Sequence, residues 1–278
     1  MLVYLSFCAP HTNALFLESN ANEQIAAGQS NRIKFSFVRA PPRGLMTTPQ
    51  QSLKLFSTIA MRNVLKAIIP EFEKRTDAHV TIEYGATAQL SERIRAGERA
   101  DAIMAVSSSI EELMNEGILQ PGSRLDFVSS DVAMAVKQGA PAPDISTAEA
   151  FKATLLSCRS VCFSKQGASG MYFASLLKKL GIEDEVRAKA LVLPEGLTGE
   201  PVARGEIELA VQQMSELMQV SGIDIFAKLP PAVQQSTIFS LGSFAQTKQA
   251  KVIQSLATFM HSPEVGAALR SQGLGPLL

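Results

Sequence analysis

Val80–Val106, VTIEYGATAQLSERIRAGERADAIMAV, reads as one strand–helix–strand unit. Val80–Tyr84 is a run of strand length, Gln89–Ala96 follows as a helix ending at Gly97, and Ala100–Val106 is a second strand. The connections are only a few residues long. Two strands joined this way lie parallel, with the helix crossing between them on one face of the sheet.

The same alternation extends to both sides. A short apolar run, Leu53–Phe56, precedes an amphipathic helix over Ala60–Arg75, in which Val64, Leu65, Ile68 and Phe72 recur at helical spacing. Ser109–Asn115 form another helix, capped by Gly117. Three such units in a row predict a parallel sheet covered by helices. After Pro121–Gly122 the register changes: Val132–Val136 is a strand, and Lys137–Ser146 a polar loop. A second series follows, with helices at Thr147–Leu156, Gly170–Leu180 and Pro201–Arg204 and strands at Val161–Phe163, Ala190–Leu193 and Glu208–Val211. Strands near Ile223–Leu229 and Thr237–Leu241, then helices Lys248–Met260 and Pro263–Ser271, complete the chain. The expected organisation is an α/β fold of two lobes with a cleft between them. Lobe one spans residues 51–130 plus 225–278, and lobe two 131–224.

Residues 1–50 stand apart. They are rich in Ser, Asn, Gln and Pro without helical or strand period, and read as a disordered N-terminal extension. No Lys or Arg precedes the apolar Met1–Phe7, so a secretory signal is not evident, and Met46 is an alternative start.

Lys plus Arg number 26 and Asp plus Glu 26, which argues against a nucleic-acid or membrane-surface partner. Any anion site must therefore be local. Of the three cysteines, Cys158 and Cys162 bracket a strand and would lie ~13 Å apart along it, too far for a disulfide. No further Cys or His completes a zinc site, and no cofactor signature occurs, so no metal or cofactor is expected.

Ligands of open α/β sheets sit beyond the carboxyl ends of the strands, where helices begin. Four corners of that kind carry small or hydroxyl residues: Ser57-Thr58, Gly85-Ala86-Thr87-Ala88, Gly167-Ala168-Ser169-Gly170 and Gln212-Gln213. Helix N-termini favour anions there. The plain alternative for Ser57, Thr87 and Ser169 is an ordinary N-cap.

Phe56–Leu65, Tyr84–Gly97 with Ala100-Asp101-Ala102, and Gly167–Tyr172 with Leu177–Gly181 together resemble the strand–helix corners of molybdate-binding proteins. The resemblance runs from about residue 53 to the end, and its "AG…AD" piece is the most specific part. It implies the type II periplasmic-binding-protein fold, with a hinge and an interlobe ligand cleft. It further implies a monomer that binds a small anion, works with an ABC transporter permease and resides in the periplasm; the missing leader leaves the cytoplasm as the alternative. The family's oxyanion contacts carry over to Ser57, Thr58, Ala60, Thr87, Ser169 and Gln213. Ala60 stands where the family has serine, and Gln213 where it has tyrosine. Arg62, in the first turn of the first helix, adds a guanidinium that suits a carboxylate. An organic carboxylate or another oxyanion is therefore expected rather than molybdate itself.

Two other functions use this fold. One is an isomerase of small unsaturated tricarboxylates, similar to aconitate isomerase, which needs a general base near the bound acid. His11, His79 and His261 are poorly placed for that role, and Glu83, Glu195 and Glu200 are candidates that no spacing distinguishes. The other is the sensing half of a transcription regulator, which needs a helix-turn-helix that residues 1–50 do not display.

Overall fold

The computed structural model describes residues 51–277. The readings made for residues 1–50, including the extension and the alternative start, lie outside the described residues.

The first series consists of β1 (Gln51–Thr58), α1 (Arg62–Thr76), β2 (Ala78–Gly85), α2 (Thr87–Arg95), β3 (Ala102–Val106) and α3 (Ser107–Asn115). A single 3-10 turn, Ile59–Met61, joins β1 to α1. Then come β4 (Leu125–Lys137), α4 (Ala148–Ser157), β5 (Val161–Ser164), α5 (Ala168–Leu180), α6 (Glu183–Arg187) and β6 (Ala190–Leu193). The chain continues through α7 (Gly199–Ala203), β7 (Leu209–Gln213), α8 (Met214–Leu217) and β8 (Ile223–Lys228). It closes with β9 (Ser236–Ser243), α9 (Ala250–Met260), α10 (Pro263–Ser271) and β10 (Leu274–Pro276).

The strand order is β2-β1-β3-β9-β4-β7-β5-β6, with β8 and β10 also paired to β4. The sequence-derived units are parallel as expected: β1 with β2 and β3, and β5 with β6 and β7. Strand β4 joins the two series. Its first half, to Asp131, runs antiparallel to β9, and its second half, from Val132, runs antiparallel to β7 and β8.

The apolar residues follow the same division. One cluster gathers Leu55, Leu65, Phe72, Phe127, Phe239 and Leu256, and a second gathers Val132, Phe151, Phe163, Phe173, Leu177 and Leu209. Each such fully buried side chain stabilises its cluster by roughly 1.5–3 kcal/mol. Only the second half of β4 was expected as a strand. Ser129, Ser130 and Asp131 make its first half too polar to read as one, and its partners β9 and β10 come from the far end of the sequence. Strand β8, mostly assigned to the first lobe by the expected division, pairs with Ala133–Lys137, and Phe226, Ala227 and Leu229 pack in the second cluster. Cys158 lies at the C-cap of α4 rather than flanking a strand, and both it and Cys162 are buried free thiols. Burial pushes the Cys162 thiol up to about 12.

Candidate ligand site at the strand ends

Strands β1, β2, β5 and β7 end at Thr58, Gly85, Ser164 and Gln213. The turns that follow converge: Thr58, Ala86, Thr87, Ser164, Gly167 and Gln213 line one pocket, whose empty space including its mouth is about 380 Å3. All four corners singled out in the sequence contribute to it.

The helices that start at this pocket lack side-chain caps. The N-cap of α2 is Ala86 and that of α5 is Gly167, neither of which can accept a bond from the first-turn N–H groups. By contrast, Thr147 caps α4 and Ser262 caps α10. Ser57, Thr87 and Ser169 are therefore not N-caps. The Ser57 hydroxyl donates to the Thr58 carbonyl at 3.3 Å, and the Thr87 hydroxyl accepts from Val106 N–H at 3.4 Å. An uncapped first turn carries unsatisfied donors and the positive end of the helix dipole, the arrangement that attracts an anion.

The β5–α5 corner is the tightest. Cβ atoms built on Gly167 and Gly170 would stand 2.4 and 2.6 Å from Ser164 Oγ, so only glycine lets Ser164 sit under the start of α5. Ser164 Oγ and Ser169 Oγ are both buried, and neither has a hydrogen-bond partner among the described residues. Gln213 Nε2 donates to Thr237 Oγ1 at 2.7 Å, while its buried Oε1 has no partner. The Thr237 hydroxyl donates as readily as it accepts, so this amide can turn over and offer N–H to an anion. Buried polar atoms without partners cost stability unless something satisfies them, and three occur here around one pocket.

Of the expected residues, Thr58, Thr87 and Gln213 line the pocket. Ser169 follows the lining pair Gly167 and Ala168, and Ser57 precedes Thr58 inside β1 with no exposed surface. Ala60 is packed in the first core cluster. Arg62 lies outside the lining, its guanidinium over the Tyr84 ring at 5.3 Å from the centroid. Among the described residues it makes no ion pair.

Sequence reasoning missed Ser164 and Glu216, both of which line the pocket, as does Gln212 of the fourth corner. Gln212 is held by Thr198, whose N–H and hydroxyl donate to Oε1 at 2.7 and 2.9 Å, while Nε2 donates to the Gly196 carbonyl at 2.9 Å. Glu216 is 7% exposed. Burial pushes its carboxyl up to about 7, against the opposing pull of the Gln213 N–H, the Gln212 side chain and the Arg62 charge. The only sequence signal for it was indirect, a carboxylate three residues after a strand-end corner. Of the earlier carboxylate candidates, Glu83 pairs with Lys54 and Arg93 at 2.7 and 2.6 Å, which lowers its carboxyl. Glu195 is exposed at the pocket edge, accepting from Gln89 Nε2 at 3.2 Å, and Glu200 is exposed on α7.

The sequence profile of the bacterial extracellular solute-binding protein family matches residues 53–275. The chain is 34% identical over 239 residues to an aconitate isomerase of a Pseudomonas species, covering 84% of this chain and 91% of that one. The Azotobacter vinelandii periplasmic molybdate-binding protein superposes with a TM-score of 0.67 at 19% identity, over 81% of this chain and 99% of that one. The sulfate-binding protein of Mycobacterium tuberculosis superposes with a TM-score of 0.66 at 15% identity, over 82% and 87%.

Proposed function

Because the chain belongs to the bacterial extracellular solute-binding protein family, we propose that it holds a small organic carboxylate, or an oxyanion of similar charge, in the pocket at its strand ends. Its fold is that of the two-lobed periplasmic binding proteins. The observation that carries the reading is the β5–α5 corner, where an uncapped 13-residue helix begins beside the unpartnered hydroxyls of Ser164 and Ser169. An anion there satisfies the donors and gains from the dipole. In this reading Ser57, Thr58, Ala60, Thr87, Ser169 and Gln213 form or back the site and Arg62 guards its edge. The lobes meet at β4 and close over the ligand. A transporter permease is the partner that the role implies, with the chain working as a monomer in the periplasm.

A second reading has its own support. The 34% identical relative is named as an aconitate isomerase, and a buried carboxyl lies in the pocket at Glu216. An isomerase of a small unsaturated tricarboxylate binds the same class of anion and moves a proton on it.

Thermal melts of the purified chain with molybdate, sulfate, citrate and cis- and trans-aconitate test the proposal. A ligand at a hundred times its Kd stabilises by about 2.7 kcal/mol. Stabilisation by a carboxylate, weakened in Ser164→Ala, is the expected result. A panel in which no anion raises Tm overturns it.

A further inference from the structure

A glutamate buried to this degree is ordinarily paired with a cation. Glu216 is not: among the described residues no Lys, Arg or His lies within 4.0 Å of its carboxyl. The elements packed most closely on α8 are β4, β7, β8 and the 3-10 turn before α1, and Gly273, between α10 and β10, abuts Met214. Strand β7 carries no charge, and Asp131 of β4 is paired with Lys228 of β8 at 2.7 Å. Asp224 of β8 accepts from the Gly139 N–H at 2.8 Å. Arg62, just beyond the turn, is the one cation whose charge acts on Glu216. The carboxyl therefore lines the same pocket as the unpartnered Ser164 hydroxyl, held by the Gln213 N–H and the Gln212 side chain but by no cation in contact.

A structural role is available. Gln213 is the N-cap of α8, and Glu216 occupies the third helical position, as in a capping box. Glutamine serves a capping box as well as glutamate does. The two roles can thus be separated by one conservative substitution.

We propose that Glu216 takes a proton from an unsaturated tricarboxylate held in this pocket and returns it to a different carbon of the same molecule. This rests on the isomerase reading above. The Glu216 carboxylate removes a proton from the CH2 between the double bond and a carboxylate. The C–H electron pair spreads through the allyl unit into a dienolate, whose added charge falls on carboxylate oxygens near the uncapped start of α5. The Glu216 carboxylic acid then delivers its proton to the far carbon of the allyl unit. A C–H bond forms there, the double bond moves by one position and the carboxylate is restored. No oxidant, reductant or co-reactant is consumed. A carboxyl whose pKa is raised towards neutrality suits both halves of the exchange.

The test uses the full chain with trans-aconitate in D2O, followed by proton NMR, with calorimetry on the same samples. Wild type is expected to form the cis isomer and to admit deuterium at the allylic carbons. Glu216→Gln should bind within about threefold of wild type yet lose at least ~100-fold in rate, the lower end for acid–base groups. A Glu216→Gln variant that keeps the wild-type rate overturns the proposal and leaves the isomerase reading standing. Wild type that binds without isomerising or exchanging overturns both and leaves the binding reading. Should Glu216→Gln fail to fold, Glu216→Asp decides: a displaced acid limb in the pH–rate profile supports the proposal, and an unchanged profile overturns it.

Discussion

A Cβ placed on Gly170 would stand 1.7 Å from the carbonyl oxygen of Ser164. No side-chain rotation relieves a contact between backbone atoms, so Gly170→Ala must push β5 and α5 apart. Overpacking of this kind costs roughly 1–3 kcal/mol or more. Urea unfolding of Gly170→Ala should show that loss, together with weakened anion binding. A variant as stable as wild type would mean that the corner yields freely and does not fix the geometry of the pocket.

Ser164→Ala separates binding from folding. Its hydroxyl has no partner among the described residues, so removing it deletes a desolvated polar atom without breaking a bond. The empty protein is expected to keep its Tm or gain slightly. Ligand affinity should fall by about 0.5–1.5 kcal/mol, the contribution of one neutral hydrogen bond. Calorimetry and thermal melts on one preparation check both halves. A large loss of Tm without ligand would show that the hydroxyl has a structural bond instead.

The sequence made the scaffold of this site legible and hid part of its chemistry. Thr58, Thr87 and Gln213 were readable because strand and helix periods place them at corners, and the structure brings all three to one pocket. Ser164 falls between the expected strand Val161–Phe163 and the Gly167–Gly170 corner, in neither; its importance comes from the approach of Gly167 and Gly170, a tertiary contact. Glu216 lies on a four-residue helix, too short to show a period, and its burial is imposed by β4, β7, β8 and the turn before α1. The first half of β4 was hidden for the same reason, since its hydrogen-bond partners lie more than a hundred residues away.

Glu216 should also shape stability against pH. Its carboxyl is raised from the ordinary value to about 7 in the folded chain. Between roughly 4.3 and about 7 the folded state therefore holds more protons than the unfolded state. The contribution is fully present below that range, falls as pH rises through it and is flat above about 7. Its size is on the order of 2–4 kcal/mol. Carboxyls lowered by partners, such as Glu83 and Asp126, act in the opposite sense, so the difference between wild type and Glu216→Gln is the informative quantity. Urea midpoints at several pH values should show Glu216→Gln gaining on wild type from about pH 5 to pH 7. Parallel curves would mean that Glu216 titrates normally.

Arg62 decides between two kinds of anion. Its guanidinium rests over Tyr84 at 5.3 Å, makes no ion pair among the described residues, and acts on Glu216 by charge alone. A carboxylate arm reaching the pocket edge could take it as a bidentate partner, whereas a compact oxyanion held at the start of α5 has no need of it. Arg62→Ala is therefore expected to weaken organic-acid binding by about 1.5–3 kcal/mol, roughly 10- to 150-fold in Kd. It should leave any sulfate or molybdate binding nearly unchanged. The same substitution removes the one cation that favours ionised Glu216, so the stability window described above should extend to higher pH in Arg62→Ala. Calorimetry with citrate and with molybdate, run beside the urea series, reads both effects. If molybdate binds tightly and Arg62→Ala changes neither ligand, the site is a neutral cradle of N–H and hydroxyl donors, and the preference for a carboxylate fails.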